Sequence, residues 1–251
     1  MGQSFSFVSG RGARLVCAPL FFALLALSAR PAVGQIPAQT PAPVRTGGAT
    51  YRILDAGTPI GVATSSVETD ADGWVIRGTS FLGGKYGLTV RRFEAHYDTL
   101  WRARFVTMDL ATPKETLLVH AAINDGATRT EIIHDGSVDI GTHTVSVDTI
   151  VLPDSVFTAY EALAARLAIA RTGTTLPVFV LPLGEIRVRL DSVTLERLPT
   201  RAGPLAARHW KLVFLTGTRE SPAEVWEAGG RLVRVDMLAD QISVIRSDIT
   251  P

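Results

Sequence analysis

Short runs of alternating hydrophobic and polar residues dominate the chain from Thr50 onwards. Alternation with a period of two places successive side chains on opposite faces of a β-strand. In residues 86–97 the hydrophobic positions change phase at Arg91–Arg92, because they are even-numbered before this point and odd-numbered after it (Tyr86, Leu88, Val90; Phe93, Ala95, Tyr97). The pattern predicts strands here, with a bulge or a bend at the two arginines.

Turn-forming residues separate these runs at short intervals. They are Asp55-Ala56-Gly57, Asp72-Gly73, Gly83-Gly84, Asn124-Asp125-Gly126, Asp135-Gly136 and Gly229-Gly230. Such residues tolerate a positive φ and are typical of β-hairpins. Strands in series joined by short turns pair antiparallel, so the sequence predicts a meander and gives no sign of a doubly wound α/β fold.

The C-terminal third shows the clearest strand patterns. Ile186, Val188 and Leu190 alternate with charged residues, and Trp210, Leu212 and Phe214 share one face of the next run. Further on, Gly229-Gly230 joins the strands 223–228 and 231–238, and residues 241–249 form a final strand. We therefore expect about a dozen strands in all.

One segment breaks the strand pattern. After Pro153, the hydrophobic residues recur with the spacing of one helical face (Val156, Phe157, Tyr160, Leu163, Ala164, Leu167, Ala168). This spacing predicts a helix over 154–171, capped at its start by Asp154 or Ser155 and closed by Gly173. Arg166 falls off the apolar face and is expected at the surface.

A single helix among many strands has to bury its apolar face against the sheet. Large antiparallel sheets curl, because twist accumulates from strand to strand. The predicted fold class is therefore mainly β: one large curved antiparallel sheet, a half-barrel, with one long α-helix packed on its concave face.

The N-terminus has the composition of a targeting segment. Residues 1–34 contain no acid, and Arg11 and Arg14 precede an apolar run of 15 residues that ends at Ala29. Small residues follow at Ala32 and Gly34. This is typical of a secretory signal peptide cleaved near Gly34, since the run is shorter than the ~20 residues that span a bilayer. An uncleaved membrane anchor is the alternative.

The predicted organisation is then a signal peptide at 1–34, a disordered proline-rich leader at 35–48 and a single β-rich domain at 49–251. Secretion or release into the periplasm follows, with membrane contact only through the signal peptide. The single cysteine, Cys17, lies inside the removed segment, so the mature chain has no thiol for a disulfide or a metal.

The charge balance changes once the signal peptide is removed. The whole chain has 25 basic and 24 acidic residues, and loss of Arg11, Arg14 and Arg30 leaves 22 basic residues against 24 acidic ones. A nearly neutral domain has no electrostatic footprint for nucleic acid, so no nucleic-acid partner is expected.

The C-terminal half resembles a family of secreted bacterial β-rich proteins of unknown function. The resemblance covers a helix at 154–171, the step from Gly173 to Pro177, the strands 187–195 and 207–214, the hairpin around Gly229-Gly230 and the last strand. The family is distantly similar in shape to periplasmic lipoprotein carriers, which hold acyl chains between a curved sheet and a helix. The resemblance implies the same fold and supplies no catalytic residues.

Catalytic and metal motifs are weak in this sequence. There is no Gly-x-Ser-x-Gly and no phosphate-binding glycine loop. His134, Asp135 and His143 form the densest histidine cluster, without the spacing of a zinc motif. Asp70-Ala71-Asp72-Gly73 resembles a turn more than a calcium loop. We therefore expect no catalytic residue, no metal and no cofactor, although a Ser/His/Asp triad assembled from distant strands stays open.

The function predicted from these observations is a non-enzymatic binder of an apolar or lipid-like ligand in the cell envelope. Its site is expected where the helix faces the sheet, lined by Tyr160, Leu163, Leu167, Trp210, Leu212 and Phe214. Two alternatives remain: an envelope scaffold or assembly protein with a filled core, and a secreted hydrolase. The sequence identifies no protein partner.

Overall fold

A computed structural model of the chain describes residues 45–249. The predicted signal peptide and most of the predicted leader therefore lie outside the described residues. The ordered strands begin slightly earlier than the sequence indicated, because Gly47 and Gly48 already belong to the first strand.

Fifteen strands make up most of the described chain. The first eight are β1 Gly47–Asp55, β2 Thr58–Thr69, β3 Gly73–Leu82, β4 Leu88–Asp98, β5 Ala103–Ala111, β6 Thr116–Asn124, β7 Ala127–His134 and β8 Ser137–Thr144. The remaining seven are β9 Ile150–Val151, β10 Thr175–Val180, β11 Gly184–Leu198, β12 Leu205–Thr216, β13 Arg219–Ala228, β14 Arg231–Met237 and β15 Ile242–Arg246.

All fifteen strands belong to one sheet, whose order is β8-β7-β6-β5-β4-β3-β2-β1-β15-β14-β13-β12-β11-β10-β9. Each strand up to β8 pairs with its neighbour in sequence, and so does each strand from β9 to β15. The two runs meet where β1 pairs with β15 in the middle of the sheet. Every pairing is antiparallel except that of β9 with β10, which is parallel because the helix connects these two strands.

The predicted hairpin turns are confirmed. Gly73, Gly126, Gly136 and both Gly229 and Gly230 adopt positive φ at the turns. The predicted irregularity at Arg91–Arg92 is also confirmed, since the register between β4 and β5 shifts between Val90 and Arg92.

The sheet curls without closing into a barrel. Strands from its two ends approach each other, with β9 contacting β5 and β8 contacting β11. A backbone hydrogen bond of 2.9 Å from Ala103 to Thr149 and a bond of 2.8 Å from the Ser146 hydroxyl to Glu185 link these ends. The expectation of a large curved antiparallel sheet is therefore met.

The helix is shorter than the sequence indicated. A 3₁₀ turn at Phe157–Ala159 leads into α1, Tyr160–Ile169. Neither predicted cap forms: no side chain caps either N-terminus, and α1 ends at Ile169, with Ala170 rather than Gly173 as its C-cap. Instead, Arg208 of β12 donates a hydrogen bond of 2.9 Å to the carbonyl oxygen of Ala168 near the C-terminus of α1.

The helix is buried around nearly its whole circumference, whereas the sequence predicted one apolar face. α1 contacts β13 and β14, and the 3₁₀ turn contacts β3 and β2. The expectation that Arg166 lies at the surface is wrong, because its side chain is only 12% exposed. It donates hydrogen bonds to the carbonyl oxygens of Asp148 and Leu100. The sequence Tyr-Glu-Ala-Leu-Ala-Ala-Arg-Leu-Ala-Ile has no continuous polar stripe, and such a helix is typically enclosed.

Candidate functional site

The structure brings the six predicted ligand-binding residues into one hydrophobic core. Tyr160, Leu163 and Leu167 come from α1, and Trp210, Leu212 and Phe214 come from one face of β12. Four of them, Leu163, Leu167, Trp210 and Leu212, have at most 1% of their surface exposed. These four side chains pack against neighbours, so the space between helix and sheet is mostly filled at their level.

Tyr160 and Phe214 lie differently, because both line a pocket of about 250 Å³. The pocket's hydrophobic walls come from five strands or connections besides α1 (Leu152, Val180, Ile186, Phe214, Met237). Its polar rim includes Asp154, Arg219 and Asp240. An apolar wall with a few polar groups at the mouth is typical of small-molecule sites.

The hydroxyl of Tyr160 lies against the thioether sulfur of Met237. The hydroxyl donates to Sδ of Met237 over 3.8 Å. Burial, followed by the negative charges of Asp154 and Asp240, raises the pKa of Tyr160 well above its ordinary value. The phenol therefore stays neutral at physiological pH. It forms part of the pocket wall, and its hydroxyl forms only a weak hydrogen bond, to the sulfur of Met237.

A buried charged cluster lies one residue further along the helix, where the sequence predicted nothing. Glu161 has no exposed surface, and its carboxylate forms an ion pair with Arg231 of β14 over 2.8 Å. The hydroxyls of Tyr51 and Ser65 each donate to the same carboxylate over 2.6 Å, and the Leu232 amide donates over 2.9 Å. The cluster thereby ties α1 to β1, β2 and β14.

The environment of Glu161 explains how a buried carboxylate stays charged. Burial by itself raises its pKa, but the hydrogen bonds and charge of Arg231, together with the two hydroxyls, bring the pKa below its usual range. Burial and the Glu161 charge raise the pKa of Tyr51 well above its ordinary value. Because both carboxylate oxygens are fully hydrogen-bonded, this cluster holds the fold together and offers no free group to a substrate.

Three histidines in the described part of the chain, His96, His134 and His209, form hydrogen bonds with carboxylates, and His120 lies 3.4 Å from the Thr107 hydroxyl. His209 lies between Glu196 and Glu224 at 2.6 and 3.0 Å and stacks on Trp226 with 4.0 Å between ring centroids. Between residues 45 and 249 no serine hydroxyl forms a hydrogen bond with a histidine. The Ser/His/Asp arrangement that the sequence left open therefore has no Ser–His hydrogen bond among the residues described.

The histidine cluster noted in the sequence separates in space. His134 remains near Asp135 and is joined by Glu115, with potential ligand atoms within 4.8 Å of one another. His143 packs its ring against Phe179 instead. His134 also forms a 3.0 Å ion pair with Asp139, which raises the pKa of His134.

Comparisons with known proteins find similarity to two solved structures. No family model and no curated protein matches the chain. A protein from Bacteroides fragilis, described as exported and of YmcC-like fold, is 8% identical, with a TM-score of 0.33 over 84% of this chain and 98% of its own. A protein from Parabacteroides distasonis, described as a lipoprotein, is 10% identical, with a TM-score of 0.33 over 83% and 97%.

A TM-score of 0.33 carries no information on what this chain binds, so any site has to be argued from its own side chains. None of the helices within residues 45–249 combines the length and hydrophobicity needed to cross a membrane.

Proposed function

We propose that this protein is a non-enzymatic binding protein of the cell envelope whose ligand carries a small apolar group. The observation that supports the proposal is the pocket of about 250 Å³ lined by Tyr160 and Phe214. In this proposal the sheet encloses α1 on its concave face and the pocket is the unfilled part of that enclosure. The burial of α1 on nearly all sides supports such an arrangement.

The size of the pocket limits the ligand. A cavity of about 150 Å³ lined by apolar side chains accommodates a benzene molecule, so this pocket holds a somewhat larger group. Burial of about five methylene groups would supply about 4 kcal/mol before the costs of association. The ligand is therefore an amphipathic molecule with a short acyl or aromatic part in the pocket and its polar part at the rim.

A second candidate function is a scaffold with a filled core, favoured by the complete burial of Leu163, Leu167, Trp210 and Leu212. Calorimetric titration with a fatty-acid series from hexanoate to dodecanoate separates the two functions. Ligand binding predicts saturable binding that Val180→Phe, which fills the pocket, weakens at least tenfold.

The matched control is Val62→Phe, because Val62 is 51% exposed and lies outside the pocket. This variant should bind like the unmodified protein. No saturable binding across the series by the folded protein would leave the scaffold as the better description.

A further inference from the structure

Arginine side chains from four separate parts of the chain converge on a cleft of about 830 Å³. Arg45 precedes β1, Arg201 lies in the turn before β12, Arg231 begins β14 and Arg246 ends β15. Within residues 45–249, Asp248 is the only acidic residue that lines this cleft. The wall thus carries a clear excess of positive charge in a domain that is nearly neutral as a whole.

Two of the four arginines are committed to partners within the fold. Arg231 uses Nε and Nη2 on Glu161, and its Nη1 donates to the carbonyl oxygens of Arg45 and Gly47. Arg246 forms a two-pronged pair with Asp248, at 2.6 and 3.0 Å. Both residues line the cleft, but most of their hydrogen-bonding capacity is used within the fold.

The other two, Arg45 and Arg201, are exposed. Their side chains form no hydrogen bond or ion pair with residues 45–249. Both are nevertheless held in place by their backbones. The Arg45 amide donates to the carbonyl oxygen of Gly229 over 3.2 Å, and the Arg201 amide donates to that of Asp248 over 3.1 Å. The side chain of Arg45 also lies along Gly229 of the β13–β14 turn.

This arrangement has the chemistry of an anion site. Guanidinium groups form paired hydrogen bonds with carboxylates and phosphates, and a concave wall with one sign of charge concentrates the opposite charge. Thr46, Thr50 and Ser247 also line the cleft, and their hydroxyls are of the type that forms further hydrogen bonds with an anion. The volume falls within the usual range of small-molecule sites, about 300–1,000 Å³.

We propose that this cleft binds a small molecule with at least two negative charges, carried by phosphate or carboxylate groups, and that Arg45 and Arg201 hold it. The site is separate from the pocket at Tyr160 and Phe214, which shares no lining residue with it. The proposal therefore does not depend on the apolar ligand.

Calorimetric titration of the full chain with pyrophosphate and, separately, with citrate tests this proposal. We expect saturable binding of at least one probe, weakened by added salt, and the preferred probe shows whether phosphate or carboxylate is recognised. Arg45→Gln and Arg201→Gln should each reduce the affinity at least tenfold, with unchanged melting temperatures.

The control is Arg171→Gln, which removes the same charge from an exposed position outside the cleft. Its affinity should equal that of the unmodified protein. The proposal is overturned if the folded protein binds neither probe saturably, or if Arg171→Gln weakens binding as much as the two cleft variants.

Discussion

Replacing Arg231 by Met tests the buried charged cluster most directly. The change removes four hydrogen bonds of Arg231, two to Glu161 and two to the carbonyl oxygens of Arg45 and Gly47. It also removes the only cation paired with Glu161 among residues 45–249, and it leaves the carboxylate with Tyr51, Ser65 and the Leu232 amide. Breaking a buried ion pair from one side typically costs about 3–5 kcal/mol. Because whole domains are stable by about 5–15 kcal/mol, we expect a large loss of stability and a much lower midpoint of urea unfolding.

The pH dependence of that loss has a definite sign. In the unmodified protein the pKa of Glu161 is lowered, so its stabilising effect is present above the unfolded pKa of about 4.3 and is lost as the pH falls through the folded pKa. Without Arg231, burial raises the pKa of Glu161, and the variant is most destabilised above that raised value. The stability difference between the two proteins should therefore shrink as the pH falls from 7 to 4.

An exposed ion pair provides the control. Arg77 and Glu68 are 2.7 Å apart with side chains 43% and 52% exposed, and Arg77→Met should cost no more than about 1 kcal/mol. The role of the buried charged cluster is refuted if Arg231→Met lowers the free energy of unfolding as little as Arg77→Met does. It is also refuted if the loss caused by Arg231→Met is the same at pH 7 and pH 4.

Two further predictions concern the packing of the helix, and thermal unfolding checks both. Gly78→Ala should destabilise the protein strongly, since a Cβ there would lie 2.5 Å from Cγ2 of Thr158 and 2.1 Å from the backbone oxygen of Thr64. The control Gly48→Ala should fold normally, because a Cβ at Gly48 has its nearest neighbour at 3.6 Å. Similar melting temperatures for the two variants would contradict the close approach of Gly78 to the 3₁₀ turn. Leu163→Asp should prevent folding by burying an unpaired carboxylate, and Arg166→Ala should cost about 1–3 kcal/mol by leaving carbonyl groups without their donor. A cost for Arg166→Ala within experimental error would mean that its hydrogen bonds contribute nothing.

The local features of this fold were predictable because their causes are local. A glycine at a tight turn, as at Gly136 or Gly230, adopts a conformation that other residues avoid, and its position in the sequence marks a hairpin. The alternation of Trp210, Leu212 and Phe214 likewise reflects one buried face of β12. In these segments the local conformation and the choice of buried face determine both the sequence pattern and the structure.

The buried cluster and the cleft could not be predicted in the same way. The sequence pattern does not indicate that Glu161 is buried, because a single charged residue in a helix usually faces water. The only local sign of enclosure is that the other nine residues of α1 include few polar groups. The arginines 45, 201, 231 and 246 come together through sheet pairings that span most of the chain. No local spacing encodes such a convergence.

The pairing of β1 with β15 sets the order in which the molecule can assemble. The strands β1 to β8 and β10 to β15 can form hairpin by hairpin as the chain emerges, since each pairs with its neighbour in sequence, whereas β9 pairs with β10 across the helical connection. Within the described sheet the two runs pair strand to strand only between Tyr51–Asp55 and Ile242–Arg246, so this central pairing cannot form until the last strand has been synthesised. A polypeptide interrupted before Ile242 would leave β1 and β14 as open edges facing each other, and open edges recruit other chains. Completion of the C-terminus is therefore the step that separates a half-assembled, aggregation-prone sheet from the finished protein.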